Sequence, residues 1–417
     1  MSNKSMKDMK KSEGQRTLEP QFRFPEFLDT KSWSTEFGAK VFDQISNKDH
    51  NSDLPILAIT QEHGAIPRDL IDYHVSVADA SIEGYKVVEV GDFIISLRSF
   101  QGGIEFSNYR GICSPAYVIL RLKTRGCPDY FRHYFKTDRF IGQMTKNIEG
   151  LRDGKMISYK QFSELTLAFP SRTEQQRIAD CLSSLDEVIA KESQRLTAHI
   201  AHKNGLMQKL FPSVGKDVPE FRFPEFKKDG AWSMISAGQL FLNRIERGRS
   251  GLPIYSVTMT DGLVPRASLD RKIDDAAEMG SNKTACKGDI VYNMMRMWQG
   301  ALGVVPEDCM VSPAYVVLEP QGINPFFFLY LLKLPQSLQA LTAHSRGLTE
   351  DRLRLYYEDF AKILLQYPSL TEQNRIAECL TSVDQLITTQ RKIINSLNTH
   401  KKGLMQRLFP IMDQVHA

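Results

Sequence analysis

The chain repeats itself. The segment "PQFRFPEF" at 20–27 returns as "PEFRFPEF" at 219–226, matching at seven of eight places, 199 positions apart. Longer stretches follow with a period of about 198 residues. "LPILAITQEHGAIPR" at 54–68 is answered by "LPIYSVTMTDGLVPR" at 252–266, "RSFQG" at 98–102 by "RMWQG" at 296–300, and "SPAYVIL" at 114–120 by "SPAYVVL" at 312–318. The closest match joins 173–212 to 371–410, with about half the residues identical. Two copies of one sequence plan predict two copies of one structural plan, so the repeat constrains the architecture more than any local propensity. Each copy is a variable globular part followed by a better-preserved tail.

The tails read as helices. Ser171 with Glu174, and Ser369 with Glu372, fit the capping box, in which each side chain satisfies an orphan amide of the first turn. A proline precedes each cap, and Pro212 and Pro410 end each run. Apolar residues step by four and three in both copies. In the first tail they are Ile178, Leu182, Leu185, Ile189, Leu196, Leu206 and Leu210, interrupted by Glu192, His199 and Lys203. In the second they are Ile376, Leu380, Val383, Ile387, Ile394, Leu397, Leu404 and Leu408, interrupted by Gln390 and Lys401. Polar residues in such a seam set register at some cost in stability. A helix of this length, about 57 Å at 1.5 Å per residue, leaves its seam exposed unless it is paired. The other copy is the natural partner, and antiparallel pairing needs only short connections. The N-terminal FRFPEF copy then lies after the second helix as the internal copy lies after the first, closing the molecule pseudo-twofold as if it were circular.

The globular parts predict mixed α/β structure. "YKVVEVGDFIISL" and "CKGDIVYNMM" read as strands about a Gly-Asp turn, the SPAYV segments as further strands, and "DYFRHYFKTDRFIGQMTKNI" and "PFFFLYLLKLPQSLQAL" as helices with aromatic cores. The chain thus divides into a loose Lys- and Ser-rich tail (1–19), a first globular domain with its linking segment (20–170), a long helix (171–212), a linking segment and second globular domain (213–368), a second long helix (369–410) and a tail (411–417). The expected fold is two α/β (α+β) domains joined by an intramolecular antiparallel coiled coil.

Several chemistries lack their signatures. There is no phosphate-gripping G-x-x-x-x-G-K-[ST], no G-x-S-x-G elbow, and no CxxC pair or zinc spacing among the six cysteines. His199 and His202 stand three apart, but only His202 has a counterpart, His400, which favours solvated or seam histidines over a metal site. "NPFFF" at 324–328 faintly echoes the NPPF-type loop of adenine methyltransferases without its second proline, and reads better as aromatic core. Neither a signal peptide nor a bilayer-spanning apolar run is evident, so a reducing cytoplasm is expected. The net charge is +4, with a local excess between Arg121 and Arg172 of eleven Lys/Arg over five Asp/Glu. That window suits either a solvated face or a phosphate-facing surface. The whole reads as a binding scaffold with no catalytic residue and no metal ligand of its own.

Two variable units, two helical tails opening "TEQ-RIA-CL" and closing "GLMQ-LFP", and paired FRFPEF segments together resemble the specificity subunit of type I restriction-modification systems, over nearly the whole chain. The resemblance implies that each globular unit is a target-recognition domain reading half of a bipartite double-stranded DNA site. It implies that the helices are a spacer and a docking platform for two modification subunits that methylate adenine with S-adenosylmethionine. Separate restriction subunits would translocate and cut DNA with ATP and Mg, leaving this chain without a cofactor. Because the units differ outside their shared motifs, two different half-sites are expected. Arginine and lysine grip guanine, and asparagine or glutamine reads adenine. The candidate contacts are Arg98, Gln101 and Arg110 in the first unit and Arg244, Arg247, Arg249, Arg296 and Gln299 in the second, with Lys146, Arg152 and Lys155 suited to phosphates. Since R-x-[FW]-Q-G recurs in both units, Arg98, Gln101, Arg296 and Gln299 read as scaffold before contact. The "NRIERGRSG" loop is the favoured contact of the second unit. The competing class is a coiled-coil adaptor whose globular units bind proteins, which would lack salt-sensitive affinity for duplex DNA.

Overall fold

The computed structural model describes residues 18–51, 53–71, 82–123, 125–146, 157–269, 281–349 and 352–410. The expected tails, except residues 18–19, lie outside these residues, as do Arg152 and Lys155. The chain forms two compact units: Met1–Ser193 with Ile393–Ala417, and Gln194–Lys392. Each unit therefore holds one globular part, the first half of the long helix that follows it, and the last part of the other long helix.

Mixed α/β content is what both units show. In the first, an antiparallel sheet runs in the order Phe42–Ile45, Val118–Leu122, Phe93–Ile95, Glu105–Phe106. The second repeats it as Phe241–Asn243, Tyr315–Pro320, Ile290–Asn293, Leu302–Val304. The SPAYV segments supply the second strand of each order, and the strands ending the two Gly-Asp turns supply the third. A second sheet in the latter unit, ordered Leu263–Pro265, Ile254–Val257, Cys309–Val311, Lys283–Ala285, appears in the former as two hairpin-like pairs linked by an Ile56–Ile112 bridge. The two aromatic stretches each form a pair of helices rather than one: Pro128–Tyr134 and Asp138–Lys146, then Pro325–Leu332 and Pro335–Ala343. Proline, or a short turn, separates the members, because a proline ring cannot continue the preceding turn.

The long helices are Arg172–Leu210 and Leu370–Leu408, 39 residues each. Every predicted seam residue is buried or half-buried. Ile178, Leu182 and Leu408 belong to the core of the first unit together with Tyr130, Phe131 and Phe409. Leu210, Ile376 and Leu380 belong to that of the second with Trp232, Phe327 and Phe328. Within the first unit the two helical pieces run in opposite directions, since Lys401 pairs with Asp186 while Phe22 and Arg23 bridge Arg407 to Glu174. Within the second, Lys203 pairs with Asp384 at 2.7 Å while Phe221 and Arg222 bridge Lys209 to Glu372.

The capping boxes form only by half. Ser171 and Ser369 accept the Glu174 and Glu372 amides at 3.2 and 3.4 Å. The carboxylates do not reach back to the caps: Arg23 takes Glu174 with two bonds of 2.8 and 2.9 Å, and Arg222 takes Glu372 with 2.8 and 2.6 Å. A bidentate guanidinium is a stronger partner for a buried carboxylate than a single backbone amide.

Candidate functional site

The frame that holds the candidate residues is built from the two repeated motifs acting on each other. In "FRFPEF" the Phe22 and Phe221 amides donate to the Arg407 and Lys209 carbonyls, at 3.0 and 2.9 Å, near the end of a long helix. The next residue, Arg23 or Arg222, reaches the glutamate of "TEQ" at the start of the other helix piece. Arg177 and Arg375 then lie over Phe24 and Phe223, each 4.9 Å from the ring centre. Gln175 accepts the Cys127 amide at 2.8 Å and donates to the Pro170 carbonyl; Gln373 does the same with Asn324, at 3.0 Å, and Pro368. These motif residues serve packing and position, and their polar atoms are spent inside the protein.

Against this frame the R-x-[FW]-Q-G turns present their side chains outward. Arg98 and Gln101 are exposed on the turn Ser99–Gly102, and Arg296 and Gln299 on Met297–Gln299. The backbone of the turn is fixed. The Arg98 carbonyl accepts the Gln101 amide at 2.9 Å and the Arg296 carbonyl the Gln299 amide at 3.1 Å. Gly103, at φ +83°, and Gly300, at φ +81°, close the turns in the left-handed region, which suits glycine. A Cβ on Gly103 would stand 2.1 Å from the Phe135 carbonyl oxygen. The turn is thus scaffold in its backbone and in the glycine that closes it, while its arginine and glutamine remain available. That glycine is the motif's own Gly300 in the second unit and Gly103, one residue past the motif, in the first.

The other candidates divide. Arg244 is engaged internally: its guanidinium meets Asp289 at 2.7 Å, Glu246 at 3.0 Å and Glu319 at 3.2 Å. Burial pushes the Asp289 carboxyl up, against the opposing pull of the Arg244 bond. The first unit holds the matching Asp92 with Arg121, from the neighbouring strand of the sheet, so this arginine changed strands between the copies. Arg249 pairs with Glu246 at 2.8 Å and stays exposed, as does Arg110 with Glu89 at 3.2 Å. Arg247 is exposed, with no ion pair to a described residue. Lys146 is exposed at the end of its helix. A surface cleft of the second unit, absent from the sequence-based candidates, is lined by Arg346, Gly347, Arg352, Arg354 and Tyr356. Three arginines within nine residues mark it in the sequence, while the sequence-based candidates of this unit are Arg244, Arg247, Arg249, Arg296 and Gln299.

Among the described residues no cluster of His, Cys, Asp or Glu could hold a metal ion, and no helix is long and apolar enough to cross a membrane. All six cysteines are free; Cys113, Cys127 and Cys309 are buried and the others half-buried. Burial pushes the Cys113 and Cys309 thiols up to about 12, which keeps them protonated at neutral pH.

A family model of the type I restriction modification DNA specificity domain matches residues 215–399. The type I restriction enzyme MjaVIII specificity subunit of Methanocaldococcus jannaschii is 24% identical over 345 residues, spanning 77% of this chain and 79% of that protein. The crystal structure of a type I S subunit from M. genitalium superposes with a TM-score of 0.56 at 15% identity, over 95% of this chain and all of that one. A chain from a study of complex assembly and conformational transition of the type I R-M system gives 0.50 at 18% identity, over 91% and 97%. At such identities the two structures speak to the fold.

Proposed function

Since this chain belongs to the family of type I restriction-modification specificity subunits, we propose that it reads a bipartite duplex DNA target, one half-site per globular unit. The observation that carries this is the doubled turn: one exposed arginine and one exposed glutamine, three residues apart, on a rigid backbone in each unit. Those two side-chain types read guanine and adenine edges. The surroundings differ between the copies, with Arg110 and Lys146 in one and Arg247, Arg249 and the arginine cleft in the other. Similar frames carrying different flanks fit two different half-sites. Arg244, spent on three carboxylates, supports the frame instead of touching DNA.

On this reading the two long helices pair along their length as an antiparallel coiled coil, giving a pseudo-twofold spacer. The ion pairs Asp186–Lys401 and Lys203–Asp384 favour it, because the repeat exchanges one pair with the other. Two equivalent halves offer two equivalent docking surfaces, one for each of two modification subunits, with restriction subunits added to them. Adenine methylation with S-adenosylmethionine, and ATP- and Mg-driven translocation and cleavage, then belong to those partners in the cytoplasm, and this chain catalyses nothing alone. Co-expression with the modification subunit in a methylation-free host, followed by genome-wide mapping of N6-methyladenine, tests the proposal. One bipartite motif with unlike half-sites around a fixed gap is expected. No motif from a co-purifying, intact complex would overturn it.

A further inference from the structure

We propose that Arg352 and Arg354, set beside Arg346, form a site in the second unit that grips phosphates of the DNA backbone. The inference rests on the DNA-reading function above and deepens it. Arg346 and Arg354 exchange both backbone hydrogen bonds, the Arg346 amide to the Arg354 carbonyl at 2.9 Å and the reverse at 2.8 Å. In such an antiparallel pair the two side chains leave from the same side, and like charges placed so are unfavourable without a counter-charge. Arg346 has one: its Nε lies 2.6 Å from Asp359, and its guanidinium stands over the Tyr356 ring at 5.2 Å. Arg352 and Arg354 are exposed and ion-paired with no described residue, and no carboxylate of a described residue lines their cleft.

The segment is anchored. Leu355 is fully buried; its amide donates to the Met294 carbonyl at 3.0 Å and its carbonyl accepts the Tyr292 hydroxyl at 3.3 Å. Gly347 lets the chain close on itself, since a Cβ there would meet the Arg352 carbonyl oxygen at 2.6 Å. The anchor at Met294 also sets the arginines beside the turn bearing Arg296 and Gln299. Guanidinium forks on an anchored backbone, answered by no carboxylate of a described residue, match phosphate oxygens, which accept two parallel N–H bonds. Phosphate contacts position a reader without carrying sequence information, so this cluster holds the duplex against the neighbouring turn.

The test uses the full chain and two unrelated mixed-sequence duplexes, with affinity followed against salt. Wild type is compared with Arg352→Ala/Arg354→Ala, with Arg352→Lys/Arg354→Lys, and with Lys227→Ala/Lys228→Ala as a charge-matched control. Each phosphate contact contributes about 0.9 to the slope of log affinity against log salt. The alanine pair is expected to lower that slope by roughly 2 and to weaken both duplexes alike, with the lysine pair and the control keeping it. An unchanged slope in the alanine pair, beside salt-dependent binding by wild type, overturns the site and leaves the DNA-reading function standing. Weakening of one duplex only would assign the arginines to bases and overturn the phosphate reading. Salt-independent or absent binding by wild type overturns both. Binding of the lysine pair as weak as the alanine pair, with the control normal, is the result of a site that needs the guanidinium fork.

Discussion

Glu174 and Glu372 carry the same buried charge in two different settings. Both accept a bidentate arginine, but Trp33 adds an Nε1–H bond to Glu174 at 2.9 Å, whereas the matching Trp232 Nε1 has no hydrogen-bond partner among the described residues. Removing one member of a buried ion pair leaves the other charged and unpaired, at a cost of about 3–5 kcal/mol. Arg222→Ala is therefore expected to lose about 3 kcal/mol or more, and Arg23→Ala roughly 1 kcal/mol less, because Glu174 keeps a donor. Denaturant unfolding followed by the emission of Trp33 and Trp232 measures both, and equal losses would refute the difference. The sequence showed FRFPEF and TEQ-RIA as repeats but not as each other's partners, since 151 positions separate Arg23 from Glu174. Arg244 misled for a related reason: a surface-rich loop composition does not reveal that Asp289 waits beneath it.

Between the globular parts and the helices, each unit has the same polar junction with one exchange. In the second, Tyr330 donates to Asp384 at 2.7 Å beside Thr381, with Lys203 also on Asp384. In the first, His133 stands in the tyrosine's place, 3.2 Å from the Ser183 hydroxyl and 3.9 Å from Asp186, with Lys401 on that carboxylate. Burial, then the nearby Lys401 charge, lowers the His133 pKa to about 4; Asp186 pulls the other way and Arg132 adds to the lowering. The unfolded chain therefore takes up a proton near pH 6.5 that the folded junction refuses until about pH 4. Stability falls as the pH drops through this window, by about 3 kcal/mol in total, and is fully present above it. His133→Tyr is expected to remove that slope between pH 6.5 and 4, which pH-dependent unfolding of the two proteins would reveal. A slope unaltered by the substitution would place the acid sensitivity elsewhere. The long helices themselves were legible to within a few residues, because a heptad seam, a cap and a terminating proline are all local signals. The pairs of short helices were legible as helical but not as pairs.

For the whole molecule, the proposed spacer makes a quantitative demand. Seven residues add about 10.5 Å to a helix, and one base pair occupies about 3.4 Å. Inserting one heptad into both long helices, with the seam kept, is expected to lengthen the gap between the half-sites by about three base pairs. Methylation mapping of the active, assembled complex reads this directly, and an unchanged gap would sink the spacer idea. The first unit also shows how the chain's two ends share work. Trp33 donates its amide to Leu18 at 3.2 Å as Trp232 does to Asp217 at 2.9 Å. The N-terminal segment thus meets the end of the second helix as residues 217–226 meet the end of the first.

The sequence by itself determined the duplication, the mixed α/β units and both long helices, because these follow from repetition and from short-range periodicity. Only the tertiary structure decided which charged residues are spent and which are free. Arg244 and Arg23 are consumed by carboxylates distant in the chain, whereas Arg98, Arg296, Arg352 and Arg354 stand exposed without an ion pair to a described residue. An arginine's charge is the same in either state. Its role depends on whether folding brings a carboxylate within about 3 Å of it, a long-range fact that no local pattern of residues encodes.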